Sequence, residues 1–244
     1  MTQSALIQGG AGGLGRALVD RILQSNQFDQ VLVTARDIQR IEPTDPRVIP
    51  VELDLLSDQS ISEAGAVVAS HIHKLHLAVT TAGILQNESL GLKPEKKLSD
   101  LTRSNLETVF SVNCFGPFLW YAALGRLIRH REPITVATLS ARVASIGDNR
   151  LGGWHSYRAS KTAQNMLTKN LSLELSRTNP HAIVVGLHPG TVDTDLSQTF
   201  QSGVDPNKLF TAEQSAGYLW NVLNGLTPER TGQVIAWDGQ TITP

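Results

Sequence analysis

The sequence contains one cysteine, no surplus of charge of either sign and no long apolar run. The single thiol, Cys114, can form no internal disulfide, and a zinc site built from several thiols is excluded. Lysine and arginine number 21 against 22 aspartates and glutamates, so the formal net charge is -1 and there is no general positive field to hold a nucleic acid. We expect no nucleic-acid partner and no bound metal.

The chain also lacks the features of a membrane or exported protein. No stretch approaches the roughly 18 apolar residues of a membrane-spanning helix, and the first ten residues have neither a basic region nor a long apolar region. Hydrophobic residues make up 41% of the chain and charged residues 18%, a balance that supports a substantial core and argues against disorder. We therefore expect a cytoplasmic protein with no membrane contact.

Short apolar runs rich in β-branched residues alternate with amphipathic stretches along the chain. This alternation predicts an α/β fold, a doubly wound parallel sheet of seven strands in three layers with helices on both faces. No linker interrupts it, so we expect a single domain over residues 1–244. The strand-like runs are Ala5–Ile7, Gln30–Ala35, Val48–Val51, Leu75–Val79, Ile134–Leu139, His181–Leu187 and Gln233–Trp237. Apolar residues spaced by four predict two helical faces, Leu14, Leu18 and Ile22 on one helix and Ala163, Leu167, Leu171 and Leu175 on another.

The first predicted strand runs directly into a glycine-rich segment, and an amphipathic helix follows. Glycines let the backbone approach a pyrophosphate closely, while the unpaired N–H groups at the helix start attract its charge. The segment fits G-x-G-x-x-G through Gly10, Gly12 and Gly15, or G-x-x-x-G-x-G through Gly9, Gly13 and Gly15. Its position indicates dinucleotide binding on a sheet of the Rossmann type. A tight strand-to-helix turn without a ligand is the alternative.

The end of the second predicted strand bears on which dinucleotide is bound. An acidic residue there would accept hydrogen bonds from the adenosine ribose, whereas this chain has Arg36, a planar cation suited to a 2′-phosphate. Arg36 therefore favours NADP(H), although a solvated surface arginine is the alternative and the neighbouring Asp37 leaves NAD(H) open. Asp54, after the third strand, could accept from the adenine amino group or be an ordinary loop acid.

Tyr157 and Lys161 form the most informative pair in the sequence. Residues four apart lie on one face of a helix, so the Lys161 ammonium can lie near the Tyr157 hydroxyl. A nearby cation stabilises a phenolate, and we therefore expect Lys161 to lower the pKa of Tyr157 toward working pH. That would make Tyr157 a general acid or base for interconverting a hydroxyl and a carbonyl group.

Over essentially its whole length, the sequence resembles the short-chain dehydrogenase/reductase family. The matching motifs are Gly9-x-x-x-Gly13-x-Gly15, Ala82-Gly83, Asn113, Tyr157-x-x-x-Lys161 and Pro189-Gly190. Two further segments, 139–148 and 236–240, resemble the C-factor-like branch, some of whose members carry a cell–cell signalling label.

The resemblance implies a role for each matching residue. Tyr157 would exchange the proton, Lys161 would lower its pKa and hold the nicotinamide ribose, and Asn113 would position a water. Thr194 would hold the nicotinamide carboxamide, and residues 191–210 would form a substrate lid. Cofactor contacts are implied at Gly9, Gly13, Leu14, Gly15, Arg36, Asp54, Leu55, Ala82, Gly83, Tyr157, Lys161, Pro189 and Thr194.

The carbonyl-polarising serine of the family has no clear match here. The family's usual position falls on Ala141, which has no donor. Ser140 is our preferred substitute, although adjacent strand residues face opposite sides, so its use requires a bulge or turn at the strand end. Ser145 on the following loop is a second candidate, and the absence of any catalytic serine is a third.

These observations predict an NADP-preferring oxidoreductase that transfers hydride between the cofactor and a small carbonyl or alcohol substrate, with Tyr157 as general acid and base. A nucleotide-binding signalling or regulatory module with weak or no turnover is the alternative, and a purely structural assembly protein a more distant one. Helices over residues 109–127 and 157–175 resemble those through which the family pairs subunits, so we expect a homodimer or homotetramer.

Overall fold

The structure is a computed structural model that describes residues 2–42, 45–203, 205 and 208–244. The strands in this part of the chain are β1 (Ser4–Gln8), β2 (Gln30–Ala35), β3 (Val48–Glu52), β4 (Leu77–Thr80), β5 (Ile134–Leu139), β6 (Ala182–His188), β7 (Thr191–Val192), β8 (Leu209–Phe210) and β9 (Val234–Ala236). Seven of these strands form one sheet, all parallel, in the order β3-β2-β1-β4-β5-β6-β9. The predicted seven-stranded parallel sheet is confirmed. A separate pair, β7 and β8, was not predicted.

Helices connect the strands, and some of them begin at residues whose side chains cap the helix. Ser57 and Thr102 accept from backbone N–H groups at two helix starts, and Thr211 with Gln214 forms a capping box at a third. A π-helical segment, Ser111–Phe115, joins two of the helices. The helices are α1 (Gly13–Ser25), α2 (Asp58–His71), α3 (Arg103–Phe110), α4 (Gly116–Leu124), α5 (His155–Ser176) and α6 (Ala212–Asn224).

Two apolar clusters cover the two faces of the sheet, because alternate strand residues point to opposite sides. On one face, Ile7, Val33 and Val185 pack with α1 and α6. On the other face, Leu6 and Val184 pack with α2, α4 and the end of α5. This arrangement is the predicted three-layer architecture. Among the described residues, no helix is both long enough and apolar enough to span a bilayer.

Helix α5 differs from the prediction in the face that it buries. Of the apolar series expected to define its face, only Leu175 is buried, while Ala163, Leu167 and Leu171 are half-buried. The buried stripe is instead mostly polar, and most of its polar side chains hydrogen-bond to backbone carbonyl oxygens, to one another or to Glu95. It consists of Ser156, Tyr157, Ser160, Lys161, Gln164, Thr168, Ser172 and Leu175.

The order of connection places a crevice at one edge of the sheet. After β1 the chain adds β2 and β3 on one side and then continues with β4 on the other, so the connections diverge beyond the carboxyl ends of β1 and β4. In open α/β sheets, ligands bind at such a switch point. All the residues predicted to act in the site follow the carboxyl ends of strands or lie on the helices beside them.

Candidate active site

The glycine-rich turn follows β1 at the switch point. The backbone N–H groups of Gly9 and Gly10 both donate to the carbonyl oxygen of Thr34, at 3.0 and 3.1 Å. Gly9 has φ +82°, a left-handed conformation that side chains rarely adopt, and a Cβ on Gly15 would lie 2.2 Å from the carbonyl oxygen of Gly9. Glycine is therefore required at both positions by the backbone itself.

The start of α1 is open toward this turn. Gly12 occupies the N-cap, no described side chain caps the helix, and its first turn carries no acidic residue. The positive end of α1 and its unpaired N–H groups therefore suit an anion. A Cβ on Gly13 would lie 3.4 Å from Cγ2 of Thr194, which places Thr194 beside the same turn. The residues present therefore fit the pyrophosphate of a dinucleotide.

Side chains tie β1 to the loop after β4. The Gln8 amide oxygen accepts from the N–H of Ala82 at 3.2 Å, and the Thr81 hydroxyl donates to the carbonyl oxygen of Gln8 at 2.8 Å. These bonds hold Ala82 and Gly83 at the crevice. A Cβ on Gly83 would lie 3.7 Å from both Asn113 Oδ1 and Lys161 Nζ, so Gly83 lies directly beside the Lys161 ammonium.

The residues predicted to select the adenosine half lie beyond β2 and β3. Arg36 is exposed and forms no ion pair with any described residue. The Asp37 carboxylate is used locally, accepting from the N–H of Gln39 at 3.0 Å. Asp54 likewise accepts from the N–H of Leu56 at 3.0 Å, and Leu55 beside it is buried. Among these residues, Arg36 is therefore the charged side chain that has no described hydrogen-bond or ion-pair partner at this end of the crevice.

Tyr157 lies in the first turn of α5, and its side chain is buried. Burial raises the pKa of Tyr157 to about 12. The prediction that Lys161 lowers this pKa is wrong for the protein without a ligand, because desolvation dominates and the ammonium bonds other groups. The phenol is therefore fully protonated near neutral pH, which is the form that donates a proton.

Lys161 is buried one turn after Tyr157, on the same face of the helix. Its Nζ donates to the carbonyl oxygen of Leu139 at 2.8 Å and to Oε1 of Gln164 at 2.9 Å. Burial lowers the pKa of Lys161 to about 7, and the nearby Cys114 opposes that shift. Sequence reasoning missed Gln164, because an amide on a helix interior carries no motif.

Asn113 lies within the π-helical segment and is fully buried. Its side chain accepts from the N–H of Ile84 at 2.7 Å and donates to the carbonyl oxygen of Ile84 at 2.9 Å and to the hydroxyl of Ser160 at 3.1 Å. The amide thus joins the loop after β4 to α5. Single π-turns inside α-helices are frequent at functional sites, and this one turns Asn113 toward Lys161 and Gly83.

The two serine candidates both have partners within the protein. The Ser140 hydroxyl, at the end of β5, donates to Oδ1 of Asn165 at 2.6 Å. The Ser145 hydroxyl accepts from the N–H of Asp148 at 3.0 Å and lies 3.4 Å from the carbonyl oxygen of Pro244. The structure therefore gives Ser140 a different partner from the carbonyl group that the resemblance implies, and neither serine is aligned with Tyr157 by a hydrogen bond.

A buried carboxylate that the sequence did not reveal holds the start of α5. Glu95 accepts from the N–H of Ser156 at 3.3 Å and from the Ser156 hydroxyl, while its own carbonyl oxygen accepts from the N–H of Trp154 at 2.5 Å. Trp154 has φ +51° and packs its ring edge-on against Tyr157, with centroids 6.3 Å apart. Glu95 lies sixty-odd residues upstream in a loop, where no local pattern marks it.

The segment after β6 closes the other side of the crevice. Pro189 accepts from the hydroxyl of Ser215 at 2.8 Å, which anchors the turn to α6. Strands β7 and β8 then pair in parallel and frame the segment predicted as a lid. Three positions of that range, 204, 206 and 207, lie outside the described residues. Within the described residues, no group of three histidine, cysteine or acidic side chains is arranged to hold a metal ion.

Comparison with known proteins identifies the family. The family model described as short chain dehydrogenase matches residues 3–205. A 1-hydroxy-2-glutathionyl-2-methyl-3-butene dehydrogenase of Rhodococcus sp. (strain AD45) is 31% identical, with 95% of this chain and 93% of that protein covered. The C-signal protein of Myxococcus xanthus is 30% identical over 59% of this chain and 82% of its own length.

The fold agrees with that assignment. The solved structure of an NADPH-bound carbonyl reductase from chicken fatty liver superposes with a TM-score of 0.87 and 26% identity, covering 100% of this chain and 99% of that chain. The chain belongs to the short chain dehydrogenase family, and the predicted resemblance is confirmed. It is an oxidoreductase that uses a nicotinamide dinucleotide and acts on small molecules.

Proposed function

We propose that the chain is an NADP-preferring reductase of small carbonyl compounds in which Tyr157 supplies the proton. The observation that carries this proposal is the position of the buried Tyr157 phenol, one helical turn from the Lys161 ammonium, at the strand edge where the glycine-rich turn lies. In the reductive direction, a positioned hydroxyl group gives its proton to the substrate oxygen.

The residues that would hold the cofactor are those that the structure brings to the crevice. The turn Gly9–Gly15 and Thr194 would hold the pyrophosphate and the nicotinamide amide, and Ala82 and Gly83 would leave room for the ribose near Lys161. When bound, the reduced cofactor supplies the hydride. Tyr157 then gives its hydroxyl proton to the substrate oxygen, which completes the alcohol, and Asn113 fixes the loop beside Lys161.

The preference for NADP(H) rests on Arg36. Its side chain is exposed beyond β2, and its charge is not neutralised by a described residue, whereas Asp37 is engaged with Gln39. The NADPH-bound carbonyl reductase, similar over the whole chain, supports the same choice. We expect Arg36→Ala to weaken NADPH binding about tenfold or more, as the loss of a charged hydrogen bond implies, with little effect on NADH. Equal weakening of both cofactors in a fluorescence titration would contradict the preference.

Turnover tests the main proposal directly. NADPH oxidation is followed with a panel of ketones, aldehydes and quinones, and Tyr157→Phe should lower kcat by about 100-fold or more because the acid is removed. Tyr121→Phe is the matched control: this second buried tyrosine bonds the carbonyl oxygen of Ala137 and lies outside the proposed machinery. Turnover that survives Tyr157→Phe would defeat the mechanism.

One observation favours a second function, a nucleotide-binding regulatory module with weak turnover. The usual serine position is Ala141, and the Ser140 proton is already donated to Asn165. The similarity to the C-signal protein agrees with this alternative. Tight NADPH binding without turnover across the panel would support it, whereas robust turnover would exclude it.

Three further expectations stay predictions: a homodimer or homotetramer, a cytoplasmic location and closure of residues 191–210 as a substrate lid.

A further inference from the structure

A buried amide contacts the Lys161 ammonium directly. Gln164 is 0% exposed and Lys161 2% exposed. Oε1 of Gln164 accepts from Lys161 Nζ at 2.9 Å, and Nε2 of Gln164 donates to the carbonyl oxygen of Leu139 at 3.0 Å. Lys161 Nζ donates to that same carbonyl oxygen at 2.8 Å. The three groups therefore form a closed hydrogen-bonded triangle behind the crevice.

The chemistry of the triangle fixes the orientation of the amide. A flipped amide would point its NH₂ group at the ammonium and its oxygen at the Leu139 carbonyl, which pairs a donor with a donor and an acceptor with an acceptor. Only the observed orientation satisfies all three groups. Two of the three N–H bonds of Lys161 are thus directed to fixed oxygens, and one N–H remains for another partner.

No carboxylate neutralises this ammonium among the described residues. The elements packed around Lys161 are β5, which offers the Leu139 carbonyl, the loop after β4, which offers Gly83, and the π-helical segment, whose Cys114 is the titratable group on that side. On α5 itself, Tyr157 lies one turn earlier. Gln164 is therefore the one side chain of the described residues that accepts a hydrogen bond from Lys161.

We propose that Gln164 is a positioning residue for the proposed reaction: it keeps Lys161 charged and fixed, with one N–H left to bind a ribose hydroxyl of the cofactor. The inference rests on the proposed function. An oxygen that accepts from the ammonium stabilises the charged form, which offsets part of the cost of burial. Without it, the buried lysine would lose its proton at a lower pH and could hold neither the ribose nor the local positive charge.

The test measures the titration of Lys161 itself in the protein without cofactor. The chain has seven lysines, so the Nζ resonances of protein labelled with ¹⁵N-lysine are resolvable, and Lys161→Met identifies the one of interest. Gln164→Met keeps an unbranched side chain of similar size but removes the acceptor. We expect it to lower the Lys161 midpoint by about half a pH unit or more, the direction set by losing a hydrogen bond to the charged form.

Two further variants keep the result interpretable. Thr168→Val is the matched control, since it deletes another buried hydrogen bond of α5, from Thr168 Oγ1 to the carbonyl oxygen of Gln164 at 3.0 Å, without touching Lys161. It should lower the melting temperature but leave the Lys161 midpoint unchanged. Gln164→Glu places a carboxylate beside the ammonium and should raise the midpoint by about one unit or more. A midpoint that moves in neither Gln164 variant would overturn the proposal.

Activity separates this inference from the proposed function. In an active enzyme, Gln164→Met should raise KM for NADPH several-fold and shift the fall of kcat/KM to lower pH, whereas Thr168→Val should leave both unchanged. If the wild-type protein reduces no carbonyl compound, the proposed function fails, yet the Lys161 titration still decides whether Gln164 holds the ammonium. If turnover is robust but the NADPH KM and the pH profile are the same in Gln164→Met, the positioning role fails alone.

Discussion

Whether Ser140 can polarise a substrate carbonyl depends on which acceptor receives its hydroxyl proton. A serine hydroxyl has one proton to donate, and in this structure Asn165 Oδ1 accepts it at 2.6 Å. Asn165 lies eight positions beyond Tyr157 on α5, about 12 Å along the helix axis. Ser140 would have to break a partly buried hydrogen bond to polarise a substrate carbonyl, so its observed contact is that of a residue joining β5 to α5.

We therefore expect Ser140→Ala to lower kcat less than tenfold and to reduce stability by about 1 kcal/mol, the usual contribution of one hydrogen bond. Steady-state kinetics and urea unfolding measure the two effects. Ser145→Ala, which removes the other candidate hydroxyl, should likewise leave most of the activity. A loss of about 100-fold in kcat for Ser140→Ala, comparable to the removal of an oxyanion donor, would show that Ser140 polarises the carbonyl after all.

The position of a site residue could be predicted from the sequence when the residue that it acts with lies nearby in the chain. Tyr157 and Lys161 are four apart, and helical geometry alone places them on one face. Their pKa values were not predictable from that spacing, because burial sets the direction of both shifts. Glu95 and the Leu139 carbonyl reach the site only through tertiary packing, which no periodicity encodes.

At the scale of one element, α5 is held at its start by a polar contact from outside the helix. The Glu95 carboxylate occupies the helix start, where it satisfies the N–H of Ser156 and interacts favourably with the helix dipole. Apolar periodicity predicted the helix but misjudged its buried face. A stripe of hydroxyl and amide groups can be buried when each has a partner in the protein, which sequence patterns of hydrophobicity do not show.

The contact of Glu95 with the start of α5 predicts a loss of both stability and activity when Glu95 is replaced. Glu95→Ala should reduce stability by about 1–2 kcal/mol, as removal of a helix cap does, and should lower kcat more than KM because Tyr157 lies in the turn that the cap fixes. Glu95→Gln, which keeps an acceptor oxygen, should recover part of both. Glu88→Ala, which removes an exposed acid of the same loop, is the control in urea unfolding and kinetics. Equal effects of Glu88→Ala and Glu95→Ala would count against the cap.

Across the whole molecule, the alternation of apolar runs was enough to predict the sheet. Each of the seven predicted strands is present, and β2 and β5 have the predicted bounds. Buried parallel strands are continuous apolar runs, and that signal is strong because both faces are covered. The strands β7 and β8 were not predicted, because Thr191–Val192 and Leu209–Phe210 are too short to form a sequence pattern. They are paired only by the tertiary fold.

The burial of basic groups in this fold also predicts how its stability depends on pH. His188, at the end of β6, has its pKa lowered from 6.5 to about 4 by burial. Between these two values the unfolded chain binds the His188 proton and the folded protein does not, so stability is present above pH 6.5 and falls as the pH falls toward 4. The contribution of His188 is about 3 kcal/mol, from about 1.4 kcal/mol for each unit of pKa.

Replacement of His188 isolates this contribution. We expect His188→Asn to flatten the decline in unfolding free energy between pH 6.5 and 4, measured by urea denaturation at a series of pH values. His73→Asn, at an exposed histidine, should leave the decline unchanged. Acidic side chains also titrate in this range, so the quantity to compare between the two variants is the slope of unfolding free energy against pH. Equal slopes would mean that His188 is protonated in the folded protein as readily as in the unfolded chain.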